Sequence, residues 1–300
     1  MKKLYALLVV VAGVLWGIIG IFVRSLQDAG LSSMQIVAIR MAVSAVLFAL
    51  FALLFRRDLF YIKLKDLWCF LGSGVVSVAT FSFCYFKAIE ESSLSMASIL
   101  LYTAPIFVML FSLSLFKEKL TIIKVISLVL AFLGCLFVTG VVRGVGDINA
   151  VAIAYGLMSG VCYALYSIFS RLALNKGYSP LTITLYTFIF AGVSALCVID
   201  IKPVAQLMCG SFSDFLYCVL FAVVTSVLPY VTYTLGLKFI RPSSASIIAS
   251  IEPVVATITG ALVFREAVDF PYGYIGIALV VLSIILINIS PKRKTKNAHD

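Results

Sequence analysis

The chain has 300 residues, of which 63% are hydrophobic and only 12% charged, with a mean hydropathy of +1.15. Soluble domains run at about 45–50% apolar and about 25% charged, so this composition points away from a soluble enzyme and towards a polytopic membrane protein. The net charge of +10 sits in short loops and in the tail, without a basic-aromatic groove, so the expected partner is the lipid bilayer and not nucleic acid.

About 20 apolar residues span the hydrocarbon core. On that measure the sequence predicts ten segments, at 4–23, 34–55, 67–87, 95–116, 122–141, 150–170, 180–200, 213–237, 243–264 and 272–290. Met1-Lys-Lys followed by Leu4 to Val23 reads as a retained first helix, because the run is long for a signal peptide and lacks an A-x-A site. The longest connections are Arg56 to Asp66, Val142 to Asn149 and Ile201 to Phe212. Segment eight contains Pro229, which predicts a bend or tilt. The seven cysteines show no C-x-x-C, and the single histidine, His299, lies in the tail. The expectation is therefore no metal site, no His-dependent triad and no cofactor.

With the N-terminus placed in the cytoplasm, 17 basic residues fall on the cytoplasmic side and 5 outside. The one left over is Arg40, inside segment two. The positive-inside rule then predicts that both termini are cytoplasmic, which needs an even number of spans.

Segment nine, SSASIIASIEPVVATITGALVFRE from Ser243 to Glu266, carries Glu252 and Pro253 near its middle. It has a twin. At an offset of 148, Ser95, Ala97, Ser98, Ile99, Pro105, Phe116 and Glu118 match Ser243, Ala245, Ser246, Ile247, Pro253, Phe264 and Glu266, while Ala104 stands opposite Glu252. Gly13, Phe22, Arg24 and Gly30 match Gly160, Phe169, Arg171 and Gly177 at 147, which aligns Trp16 with Tyr163, and Tyr85 matches Tyr233 at 148. Two halves follow, 1–142 and 150–300, with five helices each. Five is odd, so the second half inserts upside down. The predicted fold class is an all-α polytopic membrane protein of ten transmembrane helices, built as two inverted five-helix repeats. Such repeats are characteristic of secondary transporters, with the solute site near the midplane between them.

This arrangement resembles the drug/metabolite transporter superfamily, EamA type. The resemblance rests on Trp16-Gly17, on Arg40, on the paired S-x-A-S…P…F-[KR]-E helices at 95–118 and 243–266, and on the glycines of the last helix of each half, Gly134 and Gly273 with Gly276. It covers almost the whole chain; the motifs are loose, and their arrangement is the specific part. The resemblance implies an inner-membrane solute carrier whose helices one to four and six to nine surround a central cavity, with helices five and ten peripheral. Family substrates range over amino acids, nucleosides, metabolites and drugs.

Candidate substrate-binding residues are Trp16, Arg40, Tyr102, Pro105, Tyr163, Tyr230, Tyr233, Glu252 and Pro253. Glu252 lies nine residues into its helix, about 14 Å deep at 1.5 Å per residue. A mid-membrane carboxylate is a functional-site hypothesis, as cation ligand or proton carrier. The plain alternative is a structural carboxylate bonded to a neighbouring helix, with Arg40 as one candidate partner. Arg40 could bind a carboxylate or phosphate, or snorkel to the outer interface. Pro105 and Pro253 mark interrupted helices, which point to a transporter site but also occur as static kinks. The aromatic residues, Tyr166 among them, either line a cavity or pack between helices. Glu118 and Glu266 are either gate charges or solvated helix ends. The glycines allow close packing inside one chain or a homodimer contact. The basic stretch from Pro291 to Lys296 reads as a cytoplasmic anchor on anionic lipid.

The expected activity is alternating-access transport of a small organic solute, an amino-acid-like metabolite or drug, in the export direction across a bacterial plasma membrane, with proton coupling through Glu252 as a further expectation. The competing class is a membrane-embedded enzyme acting on lipid-linked substrates, which would need clustered Asp, Glu or His. A channel or sensor is a third class, disfavoured by the paired prolines and by the lack of an attached domain.

Overall fold

The computed structural model describes residues 2–140 and 149–289. The predicted anchor at Pro291 to Lys296, His299 and most of the Val142–Asn149 connection lie outside these residues. Ten apolar helices follow one another: α1 Leu4–Asp28, α2 Ser33–Phe55, α3 Leu64–Glu90, α4 Leu94–Leu115, α5 Ile122–Val138, α6 Ala150–Asn175, α7 Pro180–Leu196, α8 Phe212–Phe239, α9 Pro242–Val263 and α10 Tyr272–Ile289. Eight are long and apolar enough to cross a bilayer. The shorter pair, α5 and α7, have 17 residues each, about 26 Å of rise, near the lower limit for a span.

Polar residues punctuate the helix starts. Side chains of Ser32, Ser93, Thr121, Asn149, Ser179 and Ser211 accept hydrogen bonds from backbone N–H groups three residues on. At α2, the Gln35 side chain answers by accepting from the Ser32 N–H at 2.9 Å, which completes a capping box. These residues give the chain its turning points between apolar runs.

The helices pair across the two halves. α1 packs on α8 and α9, and α6 packs on α3 and α4. α2 meets α7, and α5 meets α10. Exchanging the halves maps this pattern onto itself. Two inverted five-helix repeats related by a pseudo-two-fold axis have this property.

Glycines set the closest approaches. A Cβ on Gly13 would lie 3.2 Å from the Ala249 carbonyl oxygen, and one on Gly160 would lie 2.9 Å from that of Leu100. At the α5–α10 seam the contact is reciprocal: a Cβ on Gly134 would meet the Gly276 carbonyl at 2.9 Å, and one on Gly276 would meet the Gly134 carbonyl at 2.7 Å. Gly134 and Gly276 are thus occupied by packing within one chain.

Two elements depart from the sequence expectation. The predicted segment 180–200 ends at Leu196, and the Ile201–Phe212 connection carries a helix, Lys202–Gly210. Pro203 suits a first helical turn, and Val204, Leu207 and Met208 pack with Leu26 and Phe221. Within α3 and α8 the backbone widens into π-helical turns at Gly72–Ala79 and Val223–Val227, which are equivalent positions of the repeat. Pro229 follows the second of these and begins the final stretch of α8.

Replacing Gly134 with Val is expected to force α5 away from α10 at a cost of about 1–3 kcal/mol, typical of overpacking. A fall in the melting temperature of the purified protein checks this; unchanged stability would mean that the seam is loose.

Candidate functional site

The site is assembled where α4 and α9 break. α4 is interrupted at Tyr102–Thr103 and α9 at Ser250, each just before its proline. Pro105 and Pro253 have no N–H, so the carbonyls of Leu101 and Ala249 lose their helical donors. Gly160 and Gly13 lie against these two carbonyl groups, one from each opposite half. The interruptions are thereby shielded from lipid, as non-helical backbone at membrane depth must be.

A cavity of about 600 Å³ lies between the halves. It is lined by Trp16 and Gly17 of α1, Arg40 of α2, Phe81 and Tyr85 of α3, Tyr102 of α4, Tyr163 of α6, Phe221 and Tyr230 of α8, and Glu252 and Pro253 of α9. α7 and α10 contribute nothing to this lining, while Val138 and Thr139 at the end of α5 do. The expected ring of helices one to four and six to nine is corrected accordingly: α7 is held behind α2 and α3.

Aromatic rings form the floor. Trp16 stands edge-on to Tyr230 with centroids 5.4 Å apart, and lies 6.3 Å from Tyr163. Below them, Tyr166 and Thr234 share a 2.7 Å hydrogen bond, as do Ser167 and Tyr233. The Tyr163 hydroxyl donates to Glu252 Oε2 at 3.1 Å. Arg40 is buried at 7% exposure; its Nε has no partner, and it forms no ion pair with Glu252. The suggested Arg40–Glu252 pair and the snorkelling arginine are both corrected: Glu252 is bonded to α6 instead, and Arg40 faces the cavity.

The two ends of the cavity differ. At one end it reaches Arg24, Gln27, Ser33, Leu94 and Glu266. There Arg24 and Glu266 form an ion pair at 2.5 Å with both side chains about half exposed, and Arg24 lies over the Phe264 ring at 4.1 Å. The other end is shut. Glu118 Oε2 accepts from Lys124 Nζ and from Ser243 Oγ, both at 2.5 Å, and Lys124 also donates to Ser243 at 2.8 Å. The Lys124 and Glu118 side chains are only 7% and 4% exposed. Arg171 adds a hydrogen bond to the Leu237 carbonyl. The solvated helix-end reading of Glu118 is thus corrected: Lys124, one of the basic residues counted on the cytoplasmic side, is buried with it.

The repeated F-[KR]-E motif ends both helices in one way. Lys117 and Arg265 take left-handed backbone conformations, with φ of 50° and 56°. The N–H of Glu118 returns to the Ser112 carbonyl, and that of Glu266 to the Gly260 carbonyl. Both ends turn through a left-handed residue, with a basic residue where glycine is usual.

A single family profile matches the chain twice, at residues 3–140 and 150–289. The chain belongs to the EamA-like transporter family. An uncharacterized transporter of Archaeoglobus fulgidus is 28% identical over 217 residues, covering 72% of this chain and 74% of that protein. The uncharacterized inner membrane transporter YicL of Salmonella typhimurium is 24% identical, with 97% of each chain covered. The uncharacterized transporter YwfM of Bacillus subtilis is 25% identical, covering 99% of this chain and 97% of its own. A protein of known crystal structure has the same fold, with a TM-score of 0.77 at 18% identity over 95% of this chain and 96% of its own.

In this EamA-like transporter, seven of the nine sequence-predicted residues line the cavity: Trp16, Arg40, Tyr102, Tyr163, Tyr230, Glu252 and Pro253. Pro105 and Tyr233 do not; Pro105 is buried in α4, and Tyr233 lies beneath the floor, bonded to Ser167. Sequence reasoning missed Phe81, Phe221, Tyr85 and Ser98, the last two joined by a 2.9 Å hydrogen bond. The match of Tyr85 to Tyr233 was the available signal.

Removing Lys124 leaves Glu118 as an uncompensated buried charge. Lys124→Met is expected to destabilise the fold by about 3–5 kcal/mol, and the double change Lys124→Met with Glu118→Gln to restore most of it. Thermal unfolding of the two variants checks this; a single variant as stable as the parent would mean that the cluster is solvated.

Proposed function

We propose that this EamA-like transporter is a secondary carrier that moves a small organic solute, an amino-acid-like metabolite or drug, out of the cell by alternating access. The observation that carries the reading is the central cavity, reaching one end of the helices and shut at the other by Glu118, Lys124 and Ser243. The charge distribution supports a plasma-membrane orientation with both termini cytoplasmic, which puts the shut end inside and the Arg24–Glu266 end outside. This conformation is then outward-facing. The inverted repeat supplies the return state, because exchanging the two halves exchanges the open and closed ends.

Trp16, Arg40, Tyr102, Tyr163, Tyr230 and Glu252 are the residues we assign to solute contact. Pro105 and Pro253 serve by breaking α4 and α9, and Tyr233 by holding the floor through Ser167. Glu252 is also the proposed proton carrier. Release of solute outward frees its carboxylate to take a proton from outside, and the inward-facing state returns that proton to the cytoplasm.

Two measurements test these statements. Glu252→Gln is expected to abolish pH-gradient-driven transport in proteoliposomes, and undiminished transport would remove the coupling. In a background with Cys197 and Cys209 changed to Ser, Lys63→Cys is expected to react with an impermeant maleimide only after permeabilisation. Reaction in intact cells would reverse the orientation.

A further inference from the structure

Two opposite charges line the cavity, and they do not meet. Arg40 approaches from α2, buried, with its Nε unpartnered and no hydrogen bond from its guanidinium to any described residue. Glu252 approaches from α9 and receives one hydrogen bond, from Tyr163. No ion pair joins the two. The aromatic rings of Trp16, Tyr163 and Tyr230 wall the same space, and none supplies a charge. Elsewhere among the described residues, buried charges pair directly: Lys124 with Glu118, and Asp66 with Lys176. The cavity therefore holds a separated cation and anion, each with bonding capacity left over.

Both charges are also private to this site. The repeat puts Ala104 opposite Glu252, and it puts Thr187 or Phe188 of α7 opposite Arg40 at offsets of 147 or 148. The duplicated scaffold does not need them.

Resting on the carrier reading above, we propose that the cavity binds a zwitterion, with a solute carboxylate on Arg40 and a solute ammonium on Glu252. The planar guanidinium presents donors that fit a carboxylate side by side. The carboxylate of Glu252 and the neighbouring ring faces both attract an ammonium. A simple anion would satisfy Arg40 and be repelled by Glu252; a simple cation would meet the reverse. A solute bearing both charges neutralises both groups at once, in a volume of about 600 Å³ that suits a small molecule.

The test uses the purified full-length protein and three sets of probes: the twenty L-amino acids, their C-terminal amides and their N-acetyl derivatives. Binding is read by thermal stabilisation and titration. At least one amino acid is expected to bind, with its amide and its N-acetyl form each weaker by roughly tenfold or more, as loss of a charged hydrogen-bond partner implies. Arg40→Gln is expected to flatten the preference for acid over amide, and Glu252→Gln the preference for free amine over N-acetyl. Arg40→Lys, which keeps the charge and loses the fork, is expected to fall between. The wild-type probe comparison stands alone if a variant fails to fold. Derivatives that bind as well as their parent, or no binding by any of the twenty, overturn the inference. If singly charged or neutral solutes are transported in proteoliposomes while amino acids are not, the zwitterion falls and the carrier survives. If the zwitterion signature appears in binding with no exchange across the membrane, the site stands and the carrier falls.

Discussion

A helix broken inside a membrane exposes carbonyl groups that water cannot reach, and each one left bare costs several kcal/mol. The architecture follows from that constraint. Pro105 and Pro253 break α4 and α9, and the groups set free lie against Gly160 and Gly13. Only a residue without a side chain lets another backbone come so near. Each half therefore covers the break of the other, and the cavity forms where the covered breaks face each other.

Much of this was legible in the sequence. The ten apolar runs, the offset of 147–148 and the matched prolines read directly from spacing, because hydrophobic length and helix breaking act locally. The place of Glu252 beside the break in α9 was readable for the same reason. The pairing of side chains across helices was not. That Tyr163 rather than Arg40 bonds Glu252, and that Lys124 is buried, depend on rotations and depths of helices far apart in sequence. The π-helical turns were hidden too: Pro229 marks the one in α8, but the equivalent stretch of α3 has no proline after it, only Phe81 at the matching place. The helix Lys202–Gly210 had a visible start signal in Pro203, overridden by reading the stretch as a connection.

The duplicated scaffold is used asymmetrically. Glu118 and Glu266 leave their helices through matching left-handed turns, yet one is buried with Lys124 and Ser243 and the other half-exposed against Arg24. Identical local geometry thus meets different surroundings at the two ends. The buried cluster resists salt, while the exposed pair is screened by it. Ionic strength therefore acts unequally on the two ends of the cavity.

At the α5–α10 seam, backbone rests on backbone at Gly134 and Gly276. Side chains can yield to an advancing neighbour by changing rotamer, but peptide groups cannot. The seam is thus incompressible, and it fixes how closely α5 and α10 approach. The working helices enclose the cavity, and α10 lines none of it.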